Sequence, residues 1–218
     1  MKLLIGESGD KPIFHDFEKN PILFISGDTG SGKSNLEHYL IQQVIKDEKF
    51  DRIKLLLVDC KRIEFGYYVK LGNLVGERIF LGTDAFDPYS EADWTTLCNK
   101  LNSDREAEGI FAVIDEYSDI ICAIPDTIET FFEKVRDKGY PFPFYLVVST
   151  SSPRTDVLTE KISKLCDARI CFNSNDGSVS RAVLGDKKFA TNLEVGNGYY
   201  GEFTKMNYTR ISVPYVEI

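Results

Sequence analysis

Two patterns of apolar and polar residues alternate along this chain. Short unbroken apolar runs bounded by polar residues or glycine are typical of strands that are buried on both faces. Such runs predict central strands at PILFIS (21–26), IKLLLVD (53–59), IFAVIDE (110–116), FYLVVST (144–150) and ARICF (168–172), with a weaker strand at RIFLG (78–82). Apolar residues at helical spacing predict helices between them, at 34–46, 92–105, 127–138, 156–165 and 178–184. This order predicts an α/β fold with a mostly parallel central sheet and helices on both faces.

The two ends of the chain have a different pattern, which predicts additional β structure. LLIG (3–6) and KPIFHDF (11–17) are joined across ESGD, as expected of an N-terminal β-hairpin. Residues 193–218 alternate in a β manner around glycines and asparagines, so a β-rich C-terminal end is expected. The pattern contains no linker and no repeat, and 218 residues are enough for a substantial core. A single domain over residues 1–218 is therefore expected.

Charge and composition restrict the class of protein. The net charge of −8 makes non-specific coating of nucleic acid a poor fit, so any DNA contact requires a local basic patch. The longest apolar stretch, residues 110–124, is interrupted by Asp115, Glu116 and Asp119, so we expect no membrane insertion. Five cysteines without a C-x-x-C pair indicate reduced thiols. The expected location is the cytoplasm.

GDTGSGKS (27–34) matches G-x-x-x-x-G-K-[ST], the phosphate-binding P-loop, with a predicted strand before it and a helix after it. The glycines let successive backbone N–H groups turn inward around a phosphate. Lys33 supplies charge to the β- and γ-phosphates, and the Ser34 hydroxyl is a ligand for Mg²⁺. The predicted nucleotide-binding residues are Gly27, Asp28, Thr29, Gly30, Ser31, Gly32, Lys33, Ser34 and Asn35.

An Asp-Glu pair ends the strand IFAVIDE, about 80 residues after the P-loop. A P-loop enzyme needs a carboxylate on a neighbouring strand for Mg²⁺, and often a second one to polarise the attacking water. We expect Asp115 to serve the metal and Glu116 to act as general base. Asp59 also ends a predicted strand, where it could simply cap the following turn.

Read in order, these motifs resemble the ATPase domain of the FtsK/SpoIIIE DNA translocases, in the FtsK–HerA group of RecA-like ATPases. DCKRIEF resembles the family's D-P-K-x-x-E-L box, with Cys60 replacing proline, and AVIDEYSDI resembles its Walker B segment. LVVSTSSPRTDVLTEKISKLCDARICF follows the family's sensor stretch, and DGSVSRAVLG its D-S-R-x-I-L segment. The resemblance covers nearly the whole chain.

The resemblance implies a RecA-like P-loop NTPase fold and an enzyme that hydrolyses ATP with Mg²⁺. It also implies double-stranded DNA as partner and a homohexameric ring. Arg169 matches the family arginine that reaches a neighbouring subunit's nucleotide, and Arg181 is expected to contact nucleotide or DNA. Thr150 matches a catalytic sensor position, but Ser151 replaces the glutamine expected next, so γ-phosphate sensing is not assigned to that side chain.

A second interpretation remains open. Type VII secretion ATPases share the fold and handle proteins, which would suit an acidic chain. Their box after the second strand usually reads D-F-K-G-G, whereas this chain has Glu64. The intact Lys33, Asp115 and Glu116 argue against a third reading, a non-hydrolysing interaction module.

Overall fold

The structure is a computed structural model of the chain. The residues it describes are 1–61, 63–68, 79–81, 86–103, 107–154, 157–175 and 177–217, with only the backbone for 79–81. Within these residues, no helix is long and apolar enough to cross a membrane.

Ten strands form one sheet in the order β2-β1-β10-β9-β8-β3-β7-β6-β4-β5. The strands are β1 (Lys2–Ser8), β2 (Lys11–Asp16), β3 (Ile22–Ser26), β4 (Ile53–Asp59), β5 (Ile79–Leu81), β6 (Gly109–Asp115), β7 (Phe144–Thr150), β8 (Ala168–Phe172), β9 (Asn197–Glu202) and β10 (Asn207–Ser212). The six strands from β8 to β5 are parallel, as predicted from their unbroken apolar runs.

Antiparallel strands extend the sheet on the β8 side. The predicted N-terminal hairpin is confirmed as β1–β2, and the C-terminal β pattern is confirmed as the hairpin β9–β10. β9 pairs with β8, and β1 pairs with β10. Both ends of the chain therefore belong to the same sheet as the predicted P-loop strand β3.

Helices cover both faces of the sheet, as predicted, but unequally. They are α1 (Lys33–Lys46), α2 (Glu91–Ser103), α3 (Tyr117–Ala123), α4 (Pro125–Arg136), α5 (Glu160–Leu165) and α6 (Gly177–Leu184), with 3₁₀ turns at Glu48–Phe50 and Phe203–Lys205. On one face, here called the α1 side, α1 packs on the sheet through Leu36, Leu40 and Ile41. The other face, the α2–α6 side, carries α2 to α6.

One helix was not predicted, and two others begin two or more positions away from the predicted residue. α3 was not predicted, because it is a seven-residue helix directly after a strand. α4 begins at Pro125, where proline is favoured in the first turn. α5 begins only at Glu160, since the Thr159 hydroxyl accepts a hydrogen bond from Ile162 N and caps the helix. Residue 156 of the predicted helix lies outside the described residues.

Gly6 joins the N-terminal hairpin to the rest of the sheet. It lies at a register shift of β1 with φ of 145°, and a Cβ there would be 2.7 Å from the backbone oxygen of Ser212 in β10.

We expect Gly6→Ala to lower the free energy of unfolding by about 2–4 kcal/mol, from backbone strain plus the contact. Gly9→Ala is the matched control, because Gly9 also has positive φ but nothing within 4 Å. Urea denaturation should give a loss of about 1 kcal/mol in the free energy of unfolding for Gly9→Ala. An equal loss in the two variants would contradict a close contact at Gly6.

Candidate nucleotide-binding site

The predicted P-loop connects the central strand β3 to α1. Gly27, Gly30 and Gly32 have φ values of 149°, 78° and 117°, which side-chain-bearing residues rarely adopt. A Cβ on Gly27 would be 2.6 Å from Ser31 Oγ, and one on Gly32 would be 3.0 Å from the Gly196 backbone. The glycines therefore allow the loop to turn tightly against the strands β8 and β9.

Lys33 lies inside this loop and is buried. Its Nζ donates hydrogen bonds to the backbone oxygens of Gly27, at 2.9 Å, and Asp28, at 3.2 Å. The loop thus wraps around the ammonium group. Because the N-cap residue of α1 is Gly32, no side chain caps the first turn of the helix, whose N–H groups carry partial positive charge. The buried Ser31 Oγ has no hydrogen-bond partner in the described part of the chain. These features fit a phosphate group, which accepts from backbone N–H, hydroxyl and ammonium donors.

Two predicted nucleotide-binding side chains are used to anchor the site. The Asp28 carboxylate accepts a hydrogen bond from Asn175 N, and Asp28 N donates to Asn173 O. The Asn35 amide binds the C-terminal segment, donating to Pro214 O at 2.8 Å and accepting from Val216 N at 2.9 Å. Asp28 and Asn35 therefore hold the loop and the start of α1 in place through their side chains.

Asp115 lies at the end of β6, beside β7. Burial raises the pKa of its carboxyl to about 6, against the lowering effect of a 2.9 Å hydrogen bond from Ser149 Oγ. Asp59 is level with Asp115 on the adjacent strand β4. Strand alternation directs Asp59, Asp115 and Ser149 to the α1 side, as it does Val113 in β6 and Val147 in β7. The helix that begins at the P-loop therefore covers these acids.

Glu116 is buried and has left-handed backbone angles, φ 50° and ψ 50°. Such a conformation costs about 1–3 kcal/mol in a non-glycine residue and is concentrated at functional sites. Its Oε2 accepts a 3.1 Å hydrogen bond from Ser151 N, and its Oε1 lies 3.7 Å from the Nζ of Lys61. Both carboxylate oxygens are therefore oriented by neighbouring loops.

The box after β4 is built around Asp59. Its carboxylate accepts hydrogen bonds from the backbone N–H groups of Lys61, Glu64 and Phe65, so Asp59 caps this turn. The cap places Lys61 near Glu116, and Glu64 lies 3.7 Å from the Nε2 of His38 in α1. The box thus connects the general-base candidate to the P-loop helix. Arg62 lies outside the described residues.

Thr150 is fully buried at the end of β7, level with Ser26 of β3. Its hydroxyl accepts a 3.0 Å hydrogen bond from Ser152 N, which stabilises the turn after the strand. The catalytic role of Thr150 stays a prediction. At the next residue, the backbone N–H of Ser151 contacts the site through Glu116.

Arg169 is placed differently from the expected arginine finger. It is fully buried in β8, on the α2–α6 side of the sheet. Its guanidinium donates to Cys166 O, Val183 O, Ser163 O and Ser163 Oγ, and stacks on Phe203 with Cζ 3.8 Å from the ring centroid. Because these groups enclose it, the guanidinium cannot reach a neighbouring subunit's nucleotide from this position. Its place in the structure is that of a clamp joining β8, α5 and α6.

Arg181 lies on α6 and is exposed. Its helix follows the loop whose Asn173 and Asn175 bind Asp28 of the P-loop. A contact with nucleotide or DNA remains a prediction for Arg181, which has the exposure that Arg169 lacks.

Sequence reasoning missed three side chains of the site. Ser149 bonds to Asp115, Lys61 lies near Glu116, and Glu37 on α1 is buried next to the acids. Strand alternation could have identified Ser149, which is two residues after Val147 on the same face. Helical spacing could have identified Glu37, four residues after Lys33.

The donor set fits Mg²⁺, which takes one or two carboxylates together with water and phosphate oxygens. Ser34 and Asp115 are the residues that would hold it. Among the described residues, no group of three or more His, Cys, Asp or Glu could hold a metal ion by itself. A site completed by the nucleotide's own phosphates agrees with this finding.

The fold and the loop together define the class: a P-loop NTPase. A profile of the FtsK/SpoIIIE family matches residues 2–85. The DNA translocase FtsK of Leptospira interrogans (serovar copenhageni) is 24% identical over 240 residues, an alignment covering 99% of this chain and 25% of the relative. The chain is thus similar to FtsK/SpoIIIE proteins, and it spans about a quarter of the length of that relative.

Solved structures agree on the fold. The pCW3 conjugation coupling protein TcpA, in its monomer form with ATPγS, superposes with a TM-score of 0.75 at 20% identity, over 99% of this chain and 66% of that one. ATPases 2 and 3 of Thermomonospora curvata EccC, in complex with a signal sequence peptide, superpose with a TM-score of 0.72 at 19% identity, over 100% of this chain and 41% of that one. At these identities the likeness establishes the RecA-like fold alone.

The clamp formed by Arg169 generates a stability prediction. Arg169→Ala leaves several buried acceptors unpaired, so we expect a loss of about 3–5 kcal/mol in the free energy of unfolding. Arg181→Ala is the control, because an exposed side chain should change stability by less than about 0.5 kcal/mol. Urea denaturation of the two variants measures the difference. Near-native stability of Arg169→Ala would contradict the clamp and restore Arg169 as a finger candidate.

Proposed function

We propose that this chain binds and hydrolyses Mg·ATP, and that it uses the reaction to move double-stranded DNA as a ring of several copies. One observation carries the proposal: Glu116 is fixed between Ser151 N and Lys61. Lys61 belongs to the box that resembles the translocase family. The box therefore places a positive charge beside Glu116, the residue expected to activate water.

Binding is assigned to the P-loop. Lys33 donates to two loop carbonyls, and the same ammonium can donate to β- and γ-phosphate oxygens within its reach. The uncapped first turn of α1 supplies backbone N–H groups. The Ser34 hydroxyl and Asp115 would hold the magnesium ion, which when bound neutralises charge on the phosphate oxygens.

Hydrolysis is assigned to Glu116. Its carboxylate takes a proton from water while the water oxygen bonds to the γ-phosphorus, and the bond from that phosphorus to the bridging oxygen breaks. The Ser151 N–H and the Lys61 ammonium orient the two oxygens of the base. A carboxylate held in one orientation needs less reorganisation as the water is activated.

DNA as the partner is supported by the family resemblance and by the names of the proteins compared. The Leptospira relative is named a DNA translocase, and TcpA is a conjugation coupling protein. The basic side chains Arg181, Lys187 and Lys188 are exposed and close in sequence, on and after α6, and an acidic chain needs such local basic groups for phosphate contacts. The homohexameric ring is inferred from the family resemblance.

A protein-handling ATPase is the second candidate. The net charge of −8 and the EccC likeness favour it. Against it, this chain has Glu64 in the box, where it faces His38 of α1. The two candidates differ in the polymer that should stimulate the enzyme.

The test of the first candidate is ATP turnover with and without linear duplex DNA at low salt. We expect slow hydrolysis by the chain alone and faster hydrolysis with DNA, because in the proposed function each cycle of ATP hydrolysis is coupled to movement of the protein along the duplex. Stimulation should decrease as salt rises, since phosphate contacts release counterions. Turnover that does not change over a range of DNA concentrations would favour the protein-handling candidate instead.

Two substitutions separate binding from hydrolysis. Lys33→Ala should weaken ATP binding at least about tenfold, because a charge-assisted contact to phosphate is lost. Glu116→Gln should bind Mg·ATP normally but turn it over about 10²–10⁴ times more slowly, because only the base is removed. Glu108→Gln, at an exposed ion pair with Arg52, is the matched control and should be unchanged. Native turnover by Glu116→Gln would mean that another group activates water.

A further inference from the structure

Glu37 is a buried carboxylic acid that the mechanism above does not use. It lies on α1, one turn after Lys33, and its side chain is fully buried. By distance and angle, neither Oε1 nor Oε2 makes a hydrogen bond in the described part of the protein, although the Ser149 hydroxyl is near enough to lower the pKa of the acid. Buried polar atoms are nearly always hydrogen-bonded, so an acid with two unpaired oxygens requires an explanation.

The groups around Glu37 are those of the nucleotide site. Burial raises the pKa of Glu37 well above its ordinary value, and the negative charge of Asp115 raises it further, while Ser149 and Lys33 act in the opposite direction. Asp115 and Ser149 end strands whose side chains on that face pack beneath α1. The carboxyl of Glu37 is therefore next to the candidate metal residue.

No cation within the described residues compensates this carboxyl directly. Lys33, four residues earlier, donates to the carbonyls of Gly27 and Asp28. The neighbouring residues Leu36, Leu40 and Ile41 are fully buried in the α1 core, where an apolar side chain is the more stable choice. An acid at position 37 thus costs stability unless something in the site interacts with it.

We propose that Glu37 is a positioning residue of the magnesium site, holding water bound to the ion beside Asp115. The proposal rests on the proposed function. Mg²⁺ keeps several waters in protein sites, and these waters need acceptors. The carboxyl of Glu37, one helical turn after Lys33 and Ser34, is such an acceptor.

The experiment measures how much magnesium strengthens nucleotide binding. The dissociation constant of a fluorescent ADP analogue is determined in EDTA and in excess Mg²⁺, and the ratio of the two is the magnesium gain. We expect Glu37→Gln to reduce this gain about tenfold, the effect of losing an outer partner of a metal site, with little change in EDTA. Asp115→Asn is the positive control and Glu108→Gln the negative one.

A second variant separates a metal role from a purely structural one. Glu37→Leu removes the buried polar atoms, so its thermal midpoint without ligand should rise by about 2–4 °C. Its magnesium gain should nevertheless fall as in Glu37→Gln. Higher stability together with a lower gain is the signature of an acid retained for the ion.

Other results would overturn the proposal. An unchanged gain in both Glu37 variants, with the loss present in Asp115→Asn, would leave Glu37 as a buried acid without a metal role and the proposed function intact. Equal weakening in EDTA and in Mg²⁺ would assign Glu37 to phosphate binding through Lys33. If the native chain shows no magnesium gain at all, the proposed function fails together with the inference.

Discussion

The common register of the parallel strands is the constraint on which the site depends. Asp59 pairs with Asp115, and Ser26 with Thr150, so the strands end at one level. Because side chains alternate between faces, Asp59, Asp115 and Ser149 all point to the side covered by α1. A shift of one residue in β6 would move Asp115 to the opposite face, away from the P-loop helix. Apolar packing along the strands therefore determines the position of the polar groups at their ends.

The same arrangement concentrates acidic groups in a buried place. Asp115 and Glu37 lie within it, and Glu116 adjoins it in a strained backbone conformation. Each of these features opposes folding, and none is required to complete the sheet. The stability that offsets them comes from the two apolar cores, in which the central strands are buried on both faces. A domain with this fold can retain a costly site because its scaffold is well packed.

Much of the fold could be predicted because local pattern and buried strands coincide. The hairpin β1–β2, the parallel strands and α1 all follow from apolar spacing, and the P-loop follows from eight residues. The features that could not be predicted depend on contacts between residues far apart in the sequence or on elements too short to show a pattern. α3 is too short for its spacing to identify it. Arg169 matched a family position, but only the packing of α5, α6 and Phe203 reveals that its guanidinium is enclosed. Glu37 resembled an ordinary helix residue until the sheet beneath it was known.

The contacts of β3 have a consequence for synthesis of the chain. This strand is synthesised before its neighbours β7 and β8, which come more than a hundred residues later. The loop after it is then braced by Gly196, whose N–H donates to Ser31 O, and Asn35 binds Pro214 and Val216 near the other end of the sequence. A nascent chain emerging from the ribosome thus cannot complete these contacts of its phosphate loop and α1 until residues 196–216 have been translated. Such distant pairings slow folding, and they expose the apolar β3 in the meantime. The P-loop therefore acquires its final form only after these later segments are present.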